Sequence, residues 1–352
     1  MNLEDIAKEA GVSRSTVSRV INNDINVSRK TRQRVLAVIE KHRFVPNHAA
    51  RTLVTQRSNI VGVVVPHTAN VFFGDNSYFP MLLQGIAEAT NQHDQSMLLW
   101  LAQPDESPEH FARRIVRNRV YDGLIIASIA DSDPLIDNLY EINAQFVMVE
   151  RPLQREESIS YVAIDNVYAG RLATEHLIAL GYERIAHITG SLTIGDGVDR
   201  LTGYQQALQH AGRPYRPELV SAASFTAETG YRAMRELLPH HPDAVFIASD
   251  TSAMGALQAL HEAGLRVPQD VAIIGFDDID IATRVTPQLT TVRQPVQEKG
   301  SEALSLLLNI LDQPESAPRR VILPTQLVIR DSCGAKLRYP SQYEGGTIQQ
   351  KI

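Results

Sequence analysis

Among 352 residues only Cys333 is a cysteine, which excludes an intrachain disulfide and any multi-cysteine metal site. No apolar run approaches the roughly 18 residues of a membrane span, so no membrane partner is expected. The opening Met1-Asn2-Leu3-Glu4-Asp5 is acidic and lacks the basic and apolar regions of a signal peptide, leaving a cytoplasmic protein as the expectation. Catalytic signatures are missing as well: there is no Gly-x-x-x-x-Gly-Lys phosphate loop, no His-Glu-x-x-His zinc helix and no Gly-x-Ser-x-Gly elbow. Asp277-Asp278-Ile279-Asp280 is dense in carboxylates but lacks the glycine and distal glutamate of a calcium loop. His67 and His187 are isolated histidines and read as structural. Neither enzymatic activity nor a metal or organic cofactor is expected.

What is present is ordinary globular material, 43% hydrophobic and 21% charged, at a length that suits about two to three domains. The formal net charge of −6 argues against a nucleic-acid binder until it is divided along the chain. Residues 1–57 carry 11 Lys/Arg against 5 Asp/Glu, a net +6, and residues 58–352 carry 23 against 35, a net −12. A small basic module therefore precedes a large acidic one, and the two imply different partners.

In the basic module, Leu3, Ile6, Ala7 and Ala10 recur with helical spacing, and Gly11 is suited to a left-handed helix end. Ser13 is an N-cap candidate for a second helix over Arg14–Ile21, with Val17, Val20 and Ile21 inward and Arg14, Ser15, Ser18, Arg19 and Asn22 outward. A third helix follows the cap candidate Ser28. Two short helices around a glycine turn, the second presenting guanidinium and hydroxyl groups, meet the requirements for entering a major groove. The plainer alternative is a three-helix bundle with a solvated face. Next, Phe44–Thr55 holds one helix of about two turns from the cap candidate Asn47. A helix so short is marginal alone in water, and Leu53 on it suits a minor-groove wedge; the alternative is a linker with a chance leucine.

Ile6-Ala7-Lys8-Glu9-Ala10-Gly11-Val12-Ser13, then Thr16 to Asn22, Val27-Ser28 with Thr31-Arg32, and Pro46-Asn47 with Ala50 and Leu53 resemble the head and hinge of the lactose/galactose repressor family of transcription factors. The resemblance implies DNA contacts from Arg14, Ser15, Thr16, Ser18, Arg19, Asn22 and Arg29 in the head, and from Asn47, Ala50 and Leu53 in the hinge. It implies a pseudo-palindromic double-stranded operator bound by a homodimer whose hinge helices pair at its centre.

From Ile60 onward, apolar runs such as Ile60–Val65, Gly123–Ala127, Tyr161–Ile164 and Ala244–Ala248 alternate with amphipathic stretches such as 81–90, 169–180, 201–210 and 252–263, the pattern of parallel α/β sheets. About 290 residues of it exceed one comfortable sheet, so two doubly wound lobes are expected, with a ligand in the cleft outside the strand ends. The family resemblance continues through Ile164-Asp165-Asn166, Arg200-Leu201-Thr202-Gly203-Tyr204 and Gly275-Phe276-Asp277-Asp278. It implies an α/β periplasmic-binding-protein-like body behind the all-α helix-turn-helix head, with three crossovers between lobes. The expected domains are a head over 1–46, a hinge over 47–58 and an effector and dimerisation domain over 59–338. Its N-lobe takes about 59–162 and 294–324, its C-lobe about 163–291 and 325–338. The tail over 339–352 lacks periodicity and leucine heptads, which suits a dimer over a tetramer.

Strand-end position, chemistry and resemblance together nominate Tyr78, Phe79, Glu150, Arg151, Asp196, Arg200, Phe225, Asp250 and Asp277 as effector contacts. Gly74–Ser77 resembles an insertion, so Phe72 and Phe73 stand as alternatives to Tyr78 and Phe79. Acids, arginines and rings suit a polyhydroxylated ligand, and a carbohydrate is the leading effector. A purine is the competing one, disfavoured because Ile194 and Asp196 stand where purine-binding relatives have base-contacting groups. Phe79 and Phe225 as core aromatics, and Arg200–Asp277 as a structural ion pair, are the alternatives. Ligand in the cleft is expected to change lobe closure and the spacing of the two hinges, with release or promotion of operator binding both open. A non-enzymatic sugar receptor is the alternative class, but it leaves the basic head unexplained.

Overall fold

The computed structural model describes residues 2–21, 24–44, 57–65, 77–103, 105–127 and 130–339. The chain forms two compact units that divide between Asn59 and Ile60.

The first unit contains helices α1 (Leu3–Ala10), α2 (Arg14–Ile21) and α3 (Arg29–Lys41). Asn2 caps α1 in a reciprocal box with Asp5, and Gly11 ends it at φ 62°, a left-handed conformation that costs glycine least. Ser13 Oγ accepts from Thr16 N at 3.1 Å and Ser28 Oγ from Thr31 N at 3.3 Å, which satisfies amides at the starts of α2 and α3. Ile6, Ala7, Ala10, Val17, Val20, Val35 and Val38 make the core.

The second unit holds two six-stranded sheets. One has the order β11-β5-β4-β3-β1-β2, with β1 Ile60–Val65, β2 Ser96–Leu101, β3 Gly123–Ala127, β4 Phe146–Val149, β5 Tyr161–Ile164 and β11 Arg320–Leu323. The other has the order β12-β10-β9-β8-β6-β7, with β6 Ile185–Ile188, β7 Val220–Ser221, β8 Ala244–Ile247, β9 Ala272–Asp277, β10 Thr290–Arg293 and β12 Gln326–Val328. All pairings are parallel except β10 with β12. Strands buried on both faces need near-continuous apolar runs, which is what GLIIA, YVAI and AVFI supply. The chain crosses between the sheets three times, after β5, after β10 and between β11 and β12.

The helices are α4 (Tyr78–Gln92), α5 (Pro108–Arg117), α6 (Pro134–Glu141), α7 (Asn166–Ala179), α8 (Gly195–His210), α9 (Ala227–Leu237), α10 (Asp250–Glu262), α11 (Ile281–Arg284), α12 (Val296–Asp312) and α13 (Ala335–Arg338). Helices α4 and α12 pack against each other, as do α7 and α8. Gly85 lets α4 approach the carbonyl of Gln297, and Gly170 lets α7 approach the backbone of Arg200, where a Cβ would collide in each case. Each sheet reverses its winding, at β1/β3 and at β6/β8, the switch points outside which doubly wound folds bind ligands.

Candidate DNA-reading head and interlobe effector site

In the head, Arg14, Ser15 and Arg19 on α2 and Arg29 at the start of α3 are exposed, while Thr16 and Ser18 are half-buried. The hydroxyls of Ser15 and Thr16 each share a 2.8 Å hydrogen bond with Ser13 Oγ, which ties them to the start of α2. Arg14 lies 3.6 Å from Glu4 and Arg19 3.9 Å from Asp24, both as solvent-facing pairs. Such pairs contribute little, about 0–1 kcal/mol, so either guanidinium can exchange its carboxylate for a base edge or a phosphate at small cost. Asn22, Asn47, Ala50 and Leu53 lie outside the described residues, as do His67, Phe72 and Phe73.

In the body, residues that follow the carboxyl ends of strands in both lobes meet in one buried polar cluster. Arg200, on the second turn of α8, is 2% exposed. Its guanidinium stacks 3.7 Å from the Phe276 ring centroid and donates to Asn166 Oδ1 (2.9 Å), Ala248 O (2.6 Å) and Asp196 Oδ2 (3.2 Å), with Asp277 Oδ1 at 4.0 Å. The N-lobe contributes Glu150, just past β4, and Lys299 on α12. Lys299 is completely buried, and its ammonium donates to Glu150 Oε1 (2.5 Å), Tyr78 Oη (3.0 Å) and Gln294 Oε1 (3.0 Å), while Tyr78 also donates to Glu150. Gln294 Nε2 donates to Asp277 Oδ1 at 2.6 Å, which links the N-lobe ammonium to the C-lobe acid.

Glu150 Oε2 is buried with no amide, cationic or hydroxyl donor on it, and the Glu150 side chain adjoins Asp196 of the other lobe. Burial first, and the charge of Glu150 second, push Asp196 well above the usual aspartate range. Burial would raise Glu150 too, but the charge of Lys299 and the hydrogen bonds of Asp196 and Lys299 hold it below its ordinary value. Two neighbouring buried carboxylates repel when both ionise, which is why the Glu150 charge adds to burial in driving Asp196 up. Burial, opposed by the charge of Arg200 and the Gln294 amide, pushes Asp277 up to about 6. Glu150 and Asp277 also hold φ at 99° and 115°, a region that non-glycine residues occupy at a cost of about 1–3 kcal/mol and mostly at functional sites.

A family model described as "Bacterial regulatory proteins, lacI family" matches residues 2–47, and one described as "Periplasmic binding protein-like domain" matches residues 174–333. The HTH-type transcriptional regulator CelR of Thermobifida fusca is 40% identical over 333 residues, 94% of this chain and 97% of that protein. The chain belongs to the lacI family. The ribose operon repressor of Escherichia coli (strain K12) is 33% identical over 334 residues, 94% of this chain and 99% of that one. The structure of the CelR–cellobiose complex matches with a TM-score of 0.75 at 37% identity, over 94% of this chain and 99% of that chain. The lac repressor dimer bound to operator and the anti-inducer ONPF matches with a TM-score of 0.80 at 26% identity, over 95% and 99%.

As a lacI-family protein, the chain is a DNA-binding transcription regulator with a helix-turn-helix head and a body of two parallel-sheet lobes. No helix among the described residues is long and apolar enough to cross a membrane. Of the nominated effector residues, Tyr78, Glu150, Asp196, Arg200 and Asp277 meet in the interlobe cluster. Phe225 lies over Gly190, where a Cβ would strike the ring, and 5.6 Å from the Arg200 guanidinium. Phe79 is buried in the N-lobe core, edge-on to Tyr78. Asp250 adjoins Asp277 but spends both oxygens on Thr291 Oγ1 (2.7 Å) and Ile279 N (3.1 Å). Arg151 turns away to grip Asp199 of the other lobe through two hydrogen bonds of 2.8 and 2.6 Å.

Sequence reasoning missed Lys299, Gln294 and Asn166. For Lys299 a signal existed: with Val296, Gly300, Ala303, Leu304 and Leu307 it falls on the apolar stripe of α12, where a lysine needs a buried partner. His187 is buried between the rings of Tyr204 and Phe246, with burial holding it down at about 4, and packs as a structural residue.

Proposed function

We propose that this lacI-family regulator is a homodimeric repressor whose operator affinity is controlled by a carbohydrate held between the lobes. Tyr78, Glu150, Asp196, Arg200, Phe225 and Asp277 are its contacts, and Asp250 and Arg151 shape the site from behind. The observation that carries this reading is the interlobe cluster, with buried carboxylates and cations from both sheets and two acids in left-handed backbone. Carboxylates accept several hydroxyl hydrogens and a ring covers the apolar face of a sugar, a division of labour that suits carbohydrate. The cellobiose complex of a relative that is 37% identical supports the ligand class. No observation favours a purine, because Phe79 is core and Tyr78 is occupied by Glu150 and Lys299.

The head reads operator bases through Arg14, Ser15, Ser18 and Arg19, with Thr16, Asn22 and Arg29 toward the backbone. Asn47, Ala50 and Leu53 form the hinge. The effector acts by shifting lobe closure, and with it the spacing of the paired hinges; no reaction is catalysed. A thermal-shift screen of cellobiose, ribose, glucose and purine bases tests the reading. Stabilisation by a sugar is expected, and stabilisation by purines alone would refute it.

A further inference from the structure

The charged groups between the lobes are unequal toward a ligand. The three N–H bonds of the Lys299 ammonium are matched by its three partners Glu150, Tyr78 and Gln294, and the residue is wholly enclosed. Arg200 commits three of its five N–H bonds to Asn166, Ala248 and Asp196 and keeps two for a ligand. The Lys299 ammonium thus serves the protein. Of the acceptors, Glu150 Oε2 has no cationic, amide or hydroxyl donor, and Asp277 takes both of its side-chain contacts on Oδ1. On α8 the Asp196 carboxyl accepts from Asn166 and Arg200 through its two oxygens. A ligand that inserts here meets oxygen acceptors in want of hydrogens.

We propose that the Glu150–Lys299 pair is a charge filter that admits uncharged, hydroxyl-rich carbohydrates and excludes their carboxylate and phosphate derivatives. The proposal rests on the carbohydrate reading above and narrows its ligand class. A sugar hydroxyl donates to Glu150 and accepts from whichever group is at hand. A ligand carboxylate can only accept, so it is placed against Glu150 and Asp277 with the Lys299 ammonium already engaged, a like-charge juxtaposition. Neutralising Glu150 reverses the balance: Lys299 loses its counter-charge, and an anion then supplies it.

Isothermal titration of the full-length protein with cellobiose, and with its aldonic acid cellobionic acid, tests this. For the unmodified protein the acid should bind at least about 100-fold more weakly than the neutral sugar. In Glu150→Gln the preference should fall by at least about 10-fold in favour of the acid, the scale of one charge-assisted hydrogen bond. The ratio of two ligands on one variant is insensitive to its stability. Lys299→Met, which leaves Glu150 without its cation, is the second variant, and it should still exclude the acid. Equal binding of acid and neutral sugar by the unmodified protein overturns the filter while leaving the carbohydrate reading intact. So does an unchanged ratio in Glu150→Gln, or uptake of the acid by Lys299→Met. If neither cellobiose, glucose nor ribose binds, in neutral or acid form, the carbohydrate reading itself falls, and the filter with it.

Discussion

Asp277→Asn should weaken effector binding by about 10- to 150-fold while leaving the protein as stable as before or more so. The carboxyl is 7% exposed and sits at the end of β9 in left-handed backbone, a conformation that asparagine tolerates nearly as well as aspartate. Its folded pKa is raised from an ordinary value of 3.8 to about 6, so the folded chain binds a proton that the unfolded chain has lost across that interval. Stability on this account is full below about pH 4 and falls as pH rises through 6. At about 1.4 kcal/mol per unit the cost reaches about 3 kcal/mol at pH 7. Asparagine carries no such penalty. Part of the gain is returned because Arg200 loses a neighbouring anion 4.0 Å away. Toward the effector, a neutral amide replaces a charged acceptor, a loss of about 1.5–3 kcal/mol, or about 10- to 150-fold in Kd. Thermal melts of both proteins at pH 5 and pH 7, with sugar titrations at pH 7, read both effects. Destabilisation by more than about 2 kcal/mol at pH 7 would show that Asp277 is a structural brace, and an unchanged sugar affinity would remove it from the site.

Other perturbations separate the remaining roles. The Arg151–Asp199 pair bridges the lobes through two hydrogen bonds at a partly buried location, so Arg151→Met and Asp199→Asn should each weaken effector binding by about 10-fold without contacting it. A double-mutant cycle with additive losses would disprove the bridge. Gly85→Ala should lower stability by about 1–3 kcal/mol, because the new methyl meets the Gln297 carbonyl of α12; an unchanged melt would mean that the two helices can part there. His187, held near 4 by burial, stays neutral in the folded state and charges in the unfolded chain below about 6.5, so its contribution is lost as pH falls toward 4. His187→Phe should flatten the acid limb of the stability profile, and an unaltered limb would place the effect elsewhere. Leu53→Ala should weaken specific operator binding far more than non-specific binding, and equal losses would rule out a minor-groove wedge.

Apart from the edge strand β2, the strands that reasoning from sequence found are largely buried on both faces, because continuous apolar runs such as Val63-Val64-Val65 admit few other readings. The ones it passed over, β7, β10, β11 and β12, are short or polar; in β10 the buried Thr290 and Thr291 interrupt the apolar signal. Helix starts were read late by three residues at α4 and α7, by two at α10 and by six at α8. The cause is functional, since the first turns of α7, α8 and α10 carry Asn166, Asp196 and Asp250, which break the apolar period in order to line the interlobe surface. The cluster was legible in part for the same reason: acids and arginines at strand ends announce themselves, and a lysine within an apolar stripe does not. Arg151 illustrates the opposite limit. Its place beside Glu150 at a strand end was visible, but alternation along the chain could not show that it reaches Asp199 instead of the ligand.

The most direct test of control by carbohydrate through the interlobe site is fluorescence anisotropy of the full-length protein on a duplex selected from a random library, titrated with and without saturating cellobiose or another sugar that stabilises it. In the unmodified protein the sugar should change the operator Kd by about 5- to 150-fold, in either direction, and Asp277→Asn should need about 10- to 150-fold more sugar for the same change. A sugar that binds in the cleft and leaves operator affinity untouched would contradict it.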